Sequence, residues 1–229
     1  MDNLLRFAPL LAEGTMVTVA VALLSLALAT ALGALGATGR LTGGRIAKAL
    51  VWLYTGLVRG VPDLVLILLI YFGGQRLINT IGRALDLEYI EVSQFGSGVL
   101  AIGFIYGAYL TETFRGAYLT VPKGQIEAGQ ALGLSRLQTL WLVTMPQLMR
   151  FALPGYANVW QVLVKSTAVV SIIGLGDLVG LAGDAGKSVR EPFTFYFAVF
   201  CIYLCITAIS QAAFDRAERW SKKGLADAH

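Results

Sequence analysis

Residues 14–39 read GTMVTVAVALLSLALATALGALGATG and contain no Asp, Glu, Lys or Arg. Two further uncharged runs follow, at 92–111 and 192–214. Each run is long enough to cross a hydrocarbon core of roughly 30 Å, which takes about 20 helical residues. Lipid offers no partner for free backbone groups, and the runs are continuously apolar, so helices are predicted rather than a barrel. The sequence therefore predicts an all-α integral membrane protein.

Charge is scarce along the whole chain. Of 229 residues, 14% are charged, whereas an ordinary soluble domain carries roughly 25%. The first run has no basic flank and is longer than the roughly 7–15 residues of a signal sequence, which predicts an uncleaved crossing. Cys201 and Cys205 are interpreted as packing residues, and the single histidine, His229, leaves no set of metal ligands.

Two interrupted apolar segments complete the predicted topology. Residues 49–75 are broken by Arg59, Pro62 and Asp63, and a later segment is broken by Lys165. One membrane domain, 1–229, is therefore predicted. Its five crossings are expected near 14–39, 49–75, 92–114, 151–176 and 192–214.

Basic residues give the orientation, because cytoplasmic loops are enriched in Lys and Arg. Eleven fall in one set of connecting segments and five in the other. The richer set comprises Arg40, Arg45, Lys48, Arg115, Lys123, Arg136, Arg150, Arg216, Arg219, Lys222 and Lys223. This bias predicts that the N-terminus faces outward and that the C-terminus faces the cytoplasm. It also accounts for the net charge of +4 without a nucleic-acid partner.

The longest predicted cytoplasmic segment, residues 119–150, reads as two short helices. Gly133-Leu134-Ser135 has the pattern of a helix stop followed by an N-cap. Pro146 is expected to bend or end the second helix. One side of the first helix is left bare by its small residues, Ala128, Gly129, Ala131 and Gly133. Either another protein approaches this side closely, with Glu127 setting the register, or the hairpin merely connects two crossings.

The same segment resembles the EAA loop of ABC importer permeases. Glu127-Ala128-Gly129, three residues, Gly133, nine residues and Val143-Thr144-Met145-Pro146 are similar to the family pattern E-A-A-x3-G-x9-I-x-L-P. The chain departs from that pattern at Gly129, Val143 and Met145. In the family this loop docks in a cleft of a cytoplasmic ATPase subunit. The resemblance thus implies that the coupling residues are Glu127, Ala128, Gly129, Gly133 and Pro146.

The resemblance extends along nearly the whole chain, to the Q-type permeases of histidine/lysine/arginine/ornithine and opine importers. The motifs that carry it are Arg59-Gly60-Val61-Pro62-Asp63-Leu64, Gly107-Ala108-Tyr109-Leu110-Thr111-Glu112-Thr113-Phe114-Arg115-Gly116 and Val121-Pro122-Lys123-Gly124. It implies a type I ABC importer fold that moves polar, cationic amino acids into the cytoplasm. A permease for glutamine or glutamate, or a self-sufficient secondary transporter, is the alternative.

Partners also follow from the resemblance. It implies a multi-pass protein of the bacterial inner membrane, with a periplasmic N-terminus, that forms a heterodimer with a second homologous permease. It also implies two copies of a cytoplasmic ATPase and a periplasmic substrate-binding protein. This chain has no G-x4-G-K-[ST] phosphate loop. We therefore expect no enzymatic activity and no cofactor in this chain, with ATP and Mg bound by the partner ATPase.

Charged residues inside predicted crossings are costly, so a function is the default expectation. Arg59 lies ten residues past Ala49 and Lys165 ten residues past Gly155, each at about half the depth of the hydrocarbon core. The residues predicted to line a translocation pathway are Arg59, Pro62, Asp63, Glu112, Asn158, Gln161, Lys165, Ser166 and Thr167. Asp63 and Glu112 would favour a cation, and Lys165 would hold a carboxylate. The alternative is structural pairing, of Arg59 with Asp63 and of Glu112 with Arg115.

Overall fold

The structure, a computed structural model, describes residues 2–222, and the regular secondary structure in that range is all helical. Lys223 and His229 lie outside the described residues. The α-helices are α1 Asp2–Arg6, α2 Ala8–Thr42, α3 Arg45–Gly60, α4 Asp63–Ala84, α5 Gln94–Thr120, α6 Lys123–Ala131, α7 Arg136–Thr139, α8 Met145–Ser166, α9 Leu178–Ser188 and α10 Pro192–Lys222. A π-helical turn, Leu140–Thr144, joins α7 to α8, and a 3-10 helix, Thr167–Ile173, follows α8.

Helix α5 lies at the centre of the molecule, packed against α2, α3, α4 and α8. Glycines let α2 and α5 approach closely. A Cβ at Gly33 would lie 2.6 Å from Cβ of Leu110, and a Cβ at Gly103 would lie 2.6 Å from the Leu28 side chain. Any larger residue at either position would push the two helices apart, so this contact fixes α5 against α2.

Within residues 2–222, four helical segments are long and apolar enough to cross a membrane: Ala8–Thr42, Asp63–Ala84, Arg136–Ile173 and Pro192–Ser221. The predicted crossing at 92–114 corresponds to α5, which is not among them. Many α5 side chains are buried against protein, where glycine and tyrosine can replace aliphatic residues. The glycines and tyrosines of α5 therefore suit its central position.

The predicted crossing at 49–75 is not one helix. It is divided into α3 and α4 at Val61 and Pro62, and α4 continues to Ala84. Val61 is extended, with φ of −113° and ψ of 141°, because the residue before a proline is disfavoured in the helical region. The break places Asp63 in the first turn of α4, where a carboxylate is stabilised by the helix dipole.

Of the two outcomes predicted for Pro146, a bend or an end of the second cytoplasmic helix, the end does not occur. The helical path runs from α7 through the π-helical turn into α8. Within the turn, the Met145 N–H bonds to the Leu140 carbonyl, and the Thr144 hydroxyl donates to the Thr139 carbonyl at 3.4 Å. Pro146 lacks an N–H, and the wider π turn just before it allows the chain to continue past the ring.

The segment between α4 and α5 is fastened to α4 by two side-chain amides. Asn79 pairs with both backbone groups of Ile90, its Oδ1 accepting from the N–H and its Nδ2 donating to the carbonyl, each at 2.8 Å. Gln75 donates to the same carbonyl at 2.6 Å and accepts from the Val92 N–H at 2.8 Å. We call Gln75 and Asn79 the amide clip.

Candidate functional site

The helical hairpin, residues 123–144, has both of its predicted junction elements. Gly133 adopts φ of +86°, and the Leu134 and Gly133 N–H groups bond to the carbonyls of Gly129 and Gln130 at 3.1 and 3.0 Å. This is a Schellman ending of α6. Ser135 and Gln138 then form a reciprocal capping box at the start of α7. The hairpin is thus rigid at its turn.

One predicted coupling residue is buried, whereas the rest of the small-residue set is exposed. Gly129 is buried, and a Cβ there would lie 3.4 Å from Thr139 and from Val143. It therefore faces the second arm of the hairpin and not an open surface. Glu127, Ala128 and Gly133 are exposed. Pro146 is also exposed, but it lies beyond the hairpin in the first turn of α8.

A second set of polar residues meets at the middle of α5. The Tyr106 hydroxyl donates to Oδ2 of Asp63 at 2.7 Å, and the Ser166 hydroxyl donates to the same oxygen at 3.2 Å. The two hydroxyl oxygens also lie within hydrogen-bonding distance of each other, but each hydroxyl has one proton, so while both donate to Asp63 this contact is not a third hydrogen bond. We call Asp63, Tyr106 and Ser166 the mid-helix triad. It ties the start of α4 and the end of α8 to one side chain of α5.

The predicted pair between Arg59 and Asp63 is not formed. Instead the Arg59 guanidinium carbon lies 5.3 Å from the ring centroid of Tyr109, a cation–π contact. Tyr109 in turn stacks on Tyr106, with ring centroids 5.5 Å apart. Arg59 therefore contacts α5 one turn away from Tyr106 of the mid-helix triad.

The predicted pair between Glu112 and Arg115 is present. The Arg115 Nε donates to Glu112 Oε2 at 2.8 Å, within one turn of α5. Both side chains are partly buried. The contact favours the structural interpretation of Glu112 over a direct role in substrate binding.

The remaining predicted pathway residues divide between two faces. Asn158, Gln161 and Lys165 follow the outward face of α8 at helical spacing, and Asn158 and Lys165 are exposed. Gln161 donates to the Thr207 carbonyl and to Gln211 Oε1 on α10, each at 3.3 Å. Within residues 3–221, Lys165 has neither an ion pair nor a hydrogen bond. Thr167 is buried and contacts Val164 and Tyr203 inside the fold, away from the triad.

Tyr106 and Tyr109 were not among the predicted pathway residues. Their signal is nonetheless visible in the sequence. They are two phenol side chains three residues apart in the uncharged run 92–111, and this spacing puts them on one face of a helix. What the sequence does not show is that this face meets Asp63 and Arg59, which are more than forty residues away.

Comparison with known proteins gives the relatives of this chain. Residues 29–223 match the family "Binding-protein-dependent transport system inner membrane component". Over 221 residues, 96% of each chain, the protein is 45% identical to the histidine/lysine/arginine/ornithine transport system permease protein HisQ of Escherichia coli (strain K12). It is 42% identical over 217 residues to the nopaline transport system permease protein NocQ of Agrobacterium fabrum, covering 94% of this chain and 92% of NocQ.

Solved structures share the fold. An amino acid ABC transporter crystallised with histidines superposes with a TM-score of 0.82 at 27% identity, covering 94% of this chain and 96% of the other. The MetNI methionine ABC transporter, in an inward-facing form, gives 0.74 at 20% identity over 94% and 98%. The predicted resemblance and the predicted type I ABC importer fold are confirmed. The chain belongs to the family of inner-membrane components of binding-protein-dependent transport systems.

Proposed function

We propose that this chain is a permease subunit of an ATP-driven importer that moves polar, cationic amino acids across the inner membrane. The observation that carries the proposal is the helical hairpin, which combines the EAA spacing with an exposed Glu127 and Ala128 on a rigid turn. The named relatives are a permease for histidine, lysine, arginine and ornithine and a permease for nopaline. A permease for glutamine or glutamate is the alternative.

The hairpin is the part proposed to dock on a cytoplasmic ATPase subunit. Its second arm continues without interruption into α8 through the π-helical turn. Helix α8 has 22 residues, about 33 Å at 1.5 Å per residue. Its far end carries Ser166 of the mid-helix triad. A shift of the hairpin would therefore be transmitted along α8 to the polar centre, with Pro154 as the one interior position of α8 that lacks its backbone hydrogen bond.

The proposed pathway runs along the outward face of α8. Uncovered polar side chains in a membrane segment are costly unless they face a partner or a water-filled cavity. In the single chain, without a partner subunit, the Asn158 and Lys165 side chains are exposed. A second permease subunit would cover this face, and Lys165 would then meet the carboxylate of the substrate. The arrangement favours pairing of two homologous permeases around a shared pathway.

Five crossings, with a periplasmic N-terminus and a cytoplasmic C-terminus, complete the proposal. Helices α2, α4, α5, α8 and α10 would cross, and α3 would rise from the cytoplasmic surface towards Tyr109. A periplasmic binding protein would deliver the substrate. Two ATPase subunits would bind ATP and Mg and carry out the hydrolysis, and this chain would hold no cofactor.

Reconstitution tests the proposal. Proteoliposomes containing this chain, a second permease and the ATPase are expected to take up labelled arginine or lysine only with both ATP and a loaded binding protein. Glu127→Trp should abolish co-purification with the ATPase and reduce uptake at least tenfold, because the bulky ring occupies the docking face. Gln125→Trp is the matched control, since Gln125 is exposed and lies about 200° around α6 from Glu127.

Two outcomes would contradict the proposal in different ways. Uptake driven by an ion gradient without ATP would indicate a secondary transporter. Full uptake and ATPase binding by Glu127→Trp, with normal membrane insertion, would remove the coupling role of the hairpin.

A further inference from the structure

The aromatic face of Tyr109 is covered by a cation from the same chain. Arg59 lies in the last turn of α3, directly before the break at Val61 and Pro62. Its guanidinium carbon is 5.3 Å from the Tyr109 centroid. Within residues 3–221 the Arg59 side chain makes neither a hydrogen bond nor an ion pair, and it is exposed. One weak contact, worth about 0.5–1 kcal/mol at an exposed site, therefore holds it.

The Asp63 carboxylate, four residues after Arg59, is held by neutral groups. Oδ2 of Asp63 accepts from the Tyr106 and Ser166 hydroxyls, at 2.7 and 3.2 Å. Neither donor carries a positive charge, so the negative charge of Asp63 is not neutralised within this cluster. Tyr106 contacts both groups: its hydroxyl donates to the Asp63 carboxylate, and its ring stacks on the Tyr109 ring.

An aromatic face and a carboxylate that has no cationic partner, both in contact with Tyr106, are together suited to a guanidinium or an ammonium group. We propose that Tyr109 and Asp63 form a subsite for the cationic side chain of the transported amino acid. In this arrangement Arg59 is a built-in competitor that must leave the Tyr109 ring before the substrate binds there. This inference rests on the proposed function and assigns to it a subsite for the substrate side chain and two residues, Tyr106 and Tyr109, in addition to the pathway set.

The position of Arg59 makes the exchange feasible. The Arg59 side chain lies in the last turn of α3, two residues before Val61, whose extended backbone ends the helix. Rotation about its own χ angles removes it from the ring without moving α5. Asp63, by contrast, is fixed at two contacts in the first turn of α4. The competitor is therefore mobile and the subsite is rigid.

Direct binding to the assembled complex tests the exchange. The permease–ATPase complex in nanodiscs, without binding protein, is titrated with labelled arginine and with citrulline, the neutral isostere of arginine. Arg59→Ala is expected to bind arginine at least about threefold more tightly, because the competing cation–π contact is gone. Arg59→Lys should gain less, since it retains a cation.

The subsite residues should respond in the opposite direction. Tyr109→Leu is expected to weaken arginine binding about fivefold and Tyr109→Phe far less, because phenylalanine keeps the aromatic face. Asp63→Asn should weaken it about tenfold, since charge is lost while the shape is kept. Citrulline binding should change less than twofold in every variant, which separates loss of the cation subsite from general damage.

Co-purification with the ATPase identifies the variants that assemble. If Arg59→Ala does not assemble, Arg59→Gln is used in its place. If Arg59→Ala or Arg59→Gln binds arginine more weakly than wild type, Arg59 contacts the substrate itself and the exchange is disproved while the proposed function stands. Equal losses for arginine and citrulline in Tyr109→Leu would likewise overturn the subsite. If the wild-type complex binds glutamine and no cationic amino acid, the substrate class in the proposed function fails as well.

Discussion

Gly129 and Gly133 stand four residues apart in the helical hairpin, and each is glycine for a different reason. Gly133 has φ of +86°, a conformation in which a Cβ is strained by about 1–2 kcal/mol. Gly129 is helical, and a Cβ there would meet Thr139 and Val143 at 3.4 Å, an ordinary contact distance. The family pattern has alanine where this chain has Gly129, and the structure has room for that alanine side chain.

The two positions make a matched pair. Gly133→Ala is expected to destabilise the hairpin by about 1 kcal/mol, and Gly129→Ala to stabilise it by up to about 1 kcal/mol through helix propensity. Proteolysis of the detergent-solubilised protein, with cleavage between 123 and 144 followed by mass spectrometry, measures the effect. Cleavage should speed up in the first variant and slow down in the second. Slower cleavage in both would refute the strain argument at Gly133.

At the scale of elements, breaks in helices determine where polar groups meet. The α3–α4 break at Pro62 puts Asp63 next to α5, and the change from α8 to the 3-10 helix puts Ser166 beside it. The π-helical turn has the opposite effect, since it keeps the chain helical past Pro146. The amide clip belongs to this scale too, because it makes the segment after α4 follow that helix.

The amide clip leads to a prediction about exchange of backbone hydrogens. Asn79→Ala removes two hydrogen bonds to Ile90, each contributing about 1 kcal/mol. Hydrogen–deuterium exchange in residues 85–93 should become at least about tenfold faster. Thr80→Ala is the control, because the Thr80 hydroxyl bonds only to the Arg76 carbonyl within its own helix. Unchanged exchange in Asn79→Ala would show that the segment is held by other contacts.

At the scale of the whole molecule, most of the central helix α5 is buried by other helices, while polar side chains on one face of α8 remain exposed. Helix α5 packs against α2, α3, α4 and α8. Asn158 and Lys165 remain exposed on the outward face of α8. This asymmetry is what a permease needs if its pathway is completed by a second subunit.

The proposed five-crossing topology predicts opposite accessibility for two exposed positions. With Cys201 and Cys205 replaced by Ser, Glu88→Cys should react with a membrane-impermeant maleimide added outside intact spheroplasts. Gln130→Cys should react only after the membrane is permeabilised, because the hairpin faces the cytoplasm. Labelling of both positions from the outside would exclude the proposed orientation.

Much of the candidate site is visible in the sequence because it depends on local interactions. The hairpin turn follows from Gly133, Ser135 and Gln138, whose bonds all join residues within five positions of each other. The pair between Glu112 and Arg115 is likewise within one turn. The partner of Asp63 could not be predicted, because Tyr106 and Ser166 are 43 and 103 residues away.

The sequence by itself determined that this chain is a helical membrane protein of an ABC importer family, since the cost of burying charge in lipid and the local rules of helix ends act on neighbouring residues. Only the tertiary structure decided which polar groups meet. It paired Arg59 with Tyr109 rather than with Asp63, and it turned Gly129 inward. These choices depend on how helices pack across long separations in sequence, and spacing along the chain carries no information about that packing.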